Sequence, residues 1–355
     1  MKAAVWHARN DIRVEEVPEP GAPGPGEVVI RVGAAGICGT DLEEYRAGPL
    51  FIPVGEPNPL TGRMAPLILG HEFAGEVIEV GRGVTAFKVG DRLAPDVLIT
   101  CGECYWCQRH QLSLCDKLAA LGLMGDGGLA EYCRLPVQMA VKLPNGLSDD
   151  HAAMAEPLSV AVRAVRRGRM LAGETVAVFG GGTIGLFCLQ VARAAGAGEV
   201  FVVEPLPNRR ELAMQLGASD VINPLTTDPV AALHHWTRGI GPDLVLEASG
   251  ATSVTPVAVA AARKGGRIVL VGLPVAATSF NFFQVVAGEK EIIGSLSHIY
   301  DEDYATAIRW LGDGRVLAEP LISARIPLDA LLVDGLARLE HRPSETLKVI
   351  IHPHA

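Results

Sequence analysis

No stretch of about 18 uncharged apolar residues occurs in this chain, so nothing in it reads as a membrane-spanning helix. The most apolar helix-length segment, Ile184 to Ala195, carries Arg193 and stops at Gly196, as a helix buried in a protein core would. Runs of Lys or Arg are lacking too. With 40 acidic against 31 basic residues the net charge is -9, which argues against a nucleic-acid partner, because phosphate binding needs a positive surface. Met1 to Glu16 mix charges with apolar residues and lack the apolar core of a secretion signal, so a cytoplasmic location is expected. Seven cysteines in such a chain point to metal ligands or buried thiols rather than disulfides. Internal repeats and low-complexity tracts are also missing.

What is present divides into two textures, and 355 residues suit two domains better than one. Up to about residue 155, short strand-like runs such as Val28 to Val32, Phe73 to Val80 and Tyr132 to Leu135 are broken by Gly and Pro. Ala47 to Pro66 has little periodicity and reads as a long surface loop, a feature that is often functional. From about residue 160, apolar strands alternate with helix-length segments: Thr175–Phe179 then Thr183–Ala195, and Val200–Glu204 then Asn208–Leu216. Leu244–Glu247, Ile268–Val271 and Ile292–Ser295 continue the series, which implies a doubly wound parallel sheet of the α/β class.

Directly after the first of those strands comes Gly180-Gly181-Gly182-Thr183-Ile184-Gly185. In a G-x-G-x-x-G turn between strand and helix, Gly180 permits the tight turn and Gly182 lets the backbone approach a pyrophosphate. Gly185 then allows close packing of helix on strand. The helix N-terminus offers free N–H groups to the phosphates. Glu204, nineteen residues after Gly185, is placed to accept both hydroxyls of an adenosine ribose and to repel a 2′-phosphate, which favours NAD over NADP. Arg209 lies close by and can stack near the adenine.

Cys101, Cys104, Cys107 and Cys115 form C-x2-C-x2-C-x7-C, four thiols able to enclose one tetrahedral ion with no open position, as a structural zinc requires. Cys38, His71, Glu72 and Glu156 are scattered, and each alone suits a core or surface role equally well. As a set they contain the mixed Cys, His and carboxylate ligands of a catalytic zinc, which needs three from the protein. Cys133 and Cys188 read as core.

With Gly36-Ile37-Cys38-Gly39-Thr40-Asp41, Gly70-His71-Glu72, the four-cysteine segment and the glycine motif in this order, the chain resembles the medium-chain zinc-dependent alcohol and polyol dehydrogenases over its whole length. The resemblance implies a mostly β, GroES-like catalytic domain over 1–159 and a Rossmann domain over 160–298. Residues 299–355 would return to the first. It implies two zinc ions: a catalytic one on Cys38, His71 and a carboxylate (Glu72 or Glu156), and a structural one on Cys101, Cys104, Cys107 and Cys115. Asp41 would orient the His71 ring, and Thr40 would take the substrate proton. Many relatives continue that relay with a histidine where this chain has Glu43, a weaker base at neutral pH. Ser249, Gly250, Gly272, Leu273, Ser295 and Leu296 fall at later strand ends, where such a sheet binds its cofactor.

The segments Gly48-Pro49-Leu50-Phe51-Ile52-Pro53 and Pro59-Leu60-Thr61-Gly62 look like those of butanediol dehydrogenases, and so do Gly125 to Tyr132 and Glu156 to Ala161. The implied reaction is NAD-linked oxidation of 2,3-butanediol to acetoin, a small-molecule alcohol–ketone pair. Tyr45, Phe51 and Ile52 are candidates for the pocket or for anchoring the loop. A sorbitol-type polyol dehydrogenase is the alternative enzyme, although the apolar loop offers few contacts to extra hydroxyls. A non-catalytic NAD-binding zinc protein is the alternative of another class. A homo-oligomer, dimer or tetramer, is expected through the edge of the nucleotide-domain sheet.

Overall fold

The computed structural model describes residues 1–274 and 276–355. The chain opens with an antiparallel hairpin of β1 (Lys2–Ala8) and β2 (Asp11–Glu16), turned at Asn10 with φ 60°. Strand β3 (Glu27–Gly36) runs straight into helix α1 (Gly39–Ala47). From Gly48 to Pro66 there is no helix or strand, as expected of a loop. Strands β4 (Leu67–Ile68), β5 (Glu72–Val80) and β6 (Arg92–Pro95) follow. The short antiparallel pair β7 (Leu98–Ile99) and β8 (Ala119–Ala120) flanks the four-cysteine segment and closes its base. Then come β9 (Tyr132–Pro136), β10 (Ala140–Lys142), α2 (Asp149–Ala153) and α3 (Ala155–Arg167).

The second texture resolves into β11 (Thr175–Phe179), α4 (Thr183–Ala194), β12 (Glu199–Val203), α5 (Pro207–Gln215), β13 (Asp220–Ile222) and α6 (Pro229–Trp236). It continues with β14 (Leu244–Glu247), α7 (Val254–Ala261), β15 (Arg267–Leu270), α8 (Phe283–Ala287) and β16 (Glu291–Gly294). The tail holds α9 (Ala305–Gly312), β17 (Ile322–Pro327), α10 (Ala337–His341) and β18 (Lys348–His352).

Two compact units result. One contains Met1–Glu156, Ile299–Asp313 and Ala318–Ala355; the other contains Pro157–His298 and Gly314–Leu317. In the first, strands lie in the order β10-β6-β5-β3-β18-β17, with β9 also paired to β3. Antiparallel register sets Gly36 of β3 opposite Glu72 of β5 on one side and Ile350 of β18 on the other. The end of β3 and the starts of β5 and β18 therefore meet at one edge of the sheet. Ile30, Val32, Phe73, Val77, Leu93, Leu135 and Ile351 fill the core behind it.

The second unit is a wholly parallel sheet in the order β13-β12-β11-β14-β15-β16, so the chain winds outward one way from β11 and then the other. The doubly wound α/β reading holds. The strand β13 and the helices α6, α7 and α8 are not evident in the sequence, because elements this short show too little periodicity. Among the described residues no helix is long and apolar enough to cross a membrane.

Helix α4 is buried along most of its length, with Leu186, Phe187 and Leu189 fully enclosed. Truncating Phe187→Ala leaves a cavity against the sheet, and urea denaturation should show a loss of about 3–5 kcal/mol.

Candidate metal centres and nucleotide site

The sheet edge of the first unit collects the scattered residues. Cys38 caps the N-terminus of α1, and its N–H donates to Asp41 Oδ2 at 2.9 Å, which fixes the turn between β3 and the helix. At the other end of α1, Trp6 Nε1 donates to the Glu44 carbonyl, Asn10 N–H to that of Tyr45 and Arg9 Nε to that of Arg46. These donors from the hairpin satisfy carbonyls that the last helical turn leaves open. Glu72 opens β5 across from Gly36, His71 directly precedes it, and Gly70, with φ +98°, makes the turn before them. The ligand atoms of Cys38, His71 and Glu72 lie within 4.8 Å of one another. A thiol, an imidazole and a carboxylate at that spacing suit zinc, whose bonds are about 2.0–2.3 Å. Glu156, in the first turn of α3, is not among them.

His71 Nδ1 sits 3.5 Å from Asp41 Oδ1, an ion-pair approach without hydrogen-bond geometry. Burial works against a charge on the His71 ring, but Asp41 and Cys38 outweigh it and hold its pKa well above the usual value. The Thr40 hydroxyl lies 3.7 Å from Cys38 Sγ.

A fourth group at this edge is Lys348, which opens β18. Its ammonium donates to both oxygens of Glu72, at 2.7 and 2.5 Å, and to the Ile37 carbonyl at 2.9 Å. Lys348 is 3% exposed and Glu72 1%. Burial alone would lower the lysine's pKa, yet Glu72, Cys38 and Glu156 raise it above the ordinary value. The lysine therefore stays charged at neutral pH, and its contribution to stability fades only as the pH climbs through that raised value. Sequence reasoning missed it, and the signal was a lone cation opening the apolar run Val349-Ile350-Ile351. Tyr304 is also buried here. Burial first, then Asp96, Glu156 and Glu72, push its phenol well up.

The four remaining ligand-type cysteines also converge, with all sulfurs within 4.8 Å of one another. Cys101 Sγ lies 3.5 Å from Cys115 Sγ and 3.9 Å from Cys107 Sγ, and it accepts the Cys104 N–H at 3.4 Å. Backbone N–H groups lower Cys104 to about 6, whereas burial and the adjoining Cys104 sulfur raise Cys107 to about 12. Four sulfurs packed this closely repel as thiolates, and a divalent cation removes the conflict.

In the second unit the carboxyl ends of the strands form a rim. Gly180, with φ +101°, turns the chain out of β11, and a Cβ on Gly185 would stand 1.8 Å from the Gly180 carbonyl, so α4 packs closer than any side chain allows. Next to Gly182 the nearest group is the Arg209 guanidinium, 3.9 Å from a notional Cβ, which leaves the backbone open to a phosphate. A Cβ on Gly180 would meet Ser249 at 3.0 Å, and one on Gly272 would meet Gly250 at 2.2 Å, so these flagged residues are neighbours. Ser295 Oγ is buried with no hydrogen-bond partner, as suits a group waiting for a ligand. Glu204 is buried too. Its Oε2 accepts the Gly181 N–H at 2.6 Å and its Oε1 the Leu206 N–H at 2.9 Å, so it braces the glycine turn from the end of β12. A dinucleotide fits this rim.

Of the loop residues, Ile52 is buried in the core and Tyr45 packs on it, while Phe51 is exposed. Cys133 and Cys188 are buried, and burial lifts both thiols to about 12, as inert core residues.

Replacing Lys348→Met strands the Glu72 charge in a dry site. The metal-free variant should lose about 3–5 kcal/mol in chemical denaturation. Added zinc, by supplying the missing positive charge, should raise the melting temperature of the variant more than that of the parent.

A family model described as "Alcohol dehydrogenase GroES-like domain" matches residues 24–145, and one described as "Zinc-binding dehydrogenase" matches residues 183–313. The chain is 37% identical over 356 residues to the (R,R)-butanediol dehydrogenase of Bacillus subtilis, with 100% of each chain covered. It is 34% identical to the sorbitol dehydrogenase of the same organism, covering 100% of this chain and 98% of the relative. Among solved structures, a 2R,3R-butanediol dehydrogenase from Bacillus subtilis superposes with TM-score 0.92 at 36% identity over 99% of both chains. A zinc-binding dehydrogenase of Sinorhizobium meliloti 1021, bound to NADP, does so with TM-score 0.89 at 32% identity, again over 99% of both. Site geometry, fold and full-length similarity agree, and the chain belongs to the medium-chain, zinc-binding alcohol dehydrogenases.

Proposed function

We propose that this chain oxidises a small secondary alcohol or vicinal diol, 2,3-butanediol before others, to the corresponding ketone with NAD. The observation that carries the proposal is the convergence of Cys38, His71 and Glu72 at one buried sheet edge. Cys38, His71 and one of Glu72 or Glu156 would hold a catalytic zinc, and the four-cysteine lobe a structural one. Bound there, zinc supplies the Lewis acidity that lowers the pKa of an alcohol oxygen, and NAD supplies the hydride acceptor. Thr40, beside Cys38 on the first turn of α1, receives the substrate proton.

The butanediol reading is supported by the similarity to two butanediol dehydrogenases and by the apolar loop after α1. For the cofactor, the Glu204 carboxylate at the end of β12 favours a free ribose hydroxyl over a 2′-phosphate, even though one solved relative holds NADP. A homo-oligomer, dimer or tetramer, is supported by the outer edge of β16, unpaired among the described residues, with Phe282, Phe283, Val286 and Ile292 exposed nearby. Seven free thiols, four of them clustered, suit the reducing cytosol.

The test is NADH formation from purified, zinc-loaded protein with 2,3-butanediol stereoisomers and with sorbitol. Turnover of a butanediol that a chelator abolishes and zinc restores is the expected result. A preference for sorbitol would replace the substrate, and no turnover of any secondary alcohol by zinc-replete protein would end the enzymatic reading. With the better alcohol, kcat/KM for NAD should exceed that for NADP by about 100-fold or more, because the buried acid opposes a second phosphate.

A further inference from the structure

Strand β14 ends on Glu247, in register with Phe179 at the end of β11 on one side and Leu270 at the end of β15 on the other. Phe179 directly precedes Gly180. Glu247 is 1% exposed, and no lysine, arginine or histidine pairs with it among the described residues. A carboxylate this deep needs hydrogen bonds in place of water. Its Oε1 accepts three of them from the turn that follows: Ser249 Oγ at 2.5 Å, Ser249 N–H at 2.8 Å and Gly250 N–H at 3.1 Å. The Glu247 carbonyl accepts two more, from Val271 and Gly272, both at 2.9 Å. One residue thus ties the turn after β14 to the chain leaving β15.

The Ser249–Gly250 turn is wedged between two glycines. A Cβ on Gly180 would stand 3.0 Å from the Ser249 backbone, and one on Gly272 would stand 2.2 Å from the Gly250 nitrogen and 3.0 Å from Glu247 Oε2. The glycine turn after β11, the Ser249–Gly250 turn and the end of β15 are therefore packed backbone against backbone. Strand order then gives the middle turn its place. Strand β12, which leads into Glu204, lies on one side of β11, and β14 lies on the other. A dinucleotide with its pyrophosphate on the glycine turn and its adenosine ribose towards Glu204 must pass its other half across the end of β14.

We infer that Glu247 is a positioning residue for the cofactor, whose buried carboxylate fixes the Ser249–Gly250 turn as the floor beneath the nicotinamide half. This rests on the NAD-binding reading above. Glu247 acts through the turn and needs no contact with the cofactor itself. The bonds to a single charged acceptor hold the turn in one conformation, so the floor is set before the cofactor arrives. The adenosine half, on the far side of β11, does not depend on it.

The test reads binding to the full-length, zinc-loaded protein rather than turnover. NADH is followed by its fluorescence, and ADP, which has only the adenosine half and the pyrophosphate, by calorimetry. Glu247→Met keeps the length of the side chain and removes the acceptor. Its affinity for NADH should fall about tenfold, while that for ADP stays within about twofold. In Glu247→Gln the amide oxygen can stand where Oε1 does and accept the same three bonds, so most of the NADH affinity should return. Ser249→Ala, at an exposed position, deletes one donor and should weaken NADH about threefold with ADP unchanged. It decides the matter if Glu247→Met does not fold. The inference is overturned if NADH affinity holds in the folded variants, if NADH and ADP weaken together, or if Glu247→Gln is no better than Glu247→Met. A parent protein that binds no NADH would instead remove the reading beneath it.

Discussion

A lysine and a glutamate 276 residues apart share one dry pocket at the sheet edge of the first unit. Taking either ion out of water costs several kcal/mol, and their attraction offsets that only if the remaining hydrogen-bonding groups are satisfied as well. Lys348 meets the condition through both Glu72 oxygens and the Ile37 carbonyl, which requires β18 to lie beside β3 and β3 beside β5. The first unit is therefore completed only when the last ten residues return to it. The same contacts set the backbone on either side of Cys38 and His71, so the pair that closes the fold also shapes the metal centre.

Elsewhere three loops are held by buried acids that accept backbone N–H groups. Glu44 holds the loop after α1, Glu204 braces the glycine turn, and Glu247 accepts from Ser249 N, Ser249 Oγ and Gly250 N beyond β14. Hydrogen bonds to a charged acceptor are about twice as strong as neutral ones, and several donors on one carboxylate specify a loop conformation sharply. The last two border the candidate nucleotide site. Part of the acidic excess that argues against nucleic acid is thus interior scaffolding around the sites and not surface charge.

Much of the chemistry was legible because its ligands are close in sequence or mark a turn. The glycine motif and the four cysteines declare themselves by spacing, since a pyrophosphate turn and a tetrahedral sulfur site each impose a short, rigid geometry. Cys38 and His71 needed the resemblance, because 32 residues separate them and no local rule links the two. Lys348, Tyr304 and Glu44 were not legible. A charged or phenolic side chain reads as surface until a structure shows what encloses it, and β13 is too short for a pattern.

The sequence by itself determined the alternation that makes a doubly wound sheet, the cysteine lobe, and the glycine turn that opens the nucleotide rim. These follow from forces acting over a few residues: side-chain period, backbone conformation and ligand spacing. Only the tertiary structure decided that β18 brings a lysine to Glu72, that Glu204 braces the glycine turn, and that Glu44 is spent on holding a loop. Each depends on burial, which is set by strands distant in sequence, and burial is what turns an ordinary charged residue into one that must find a partner.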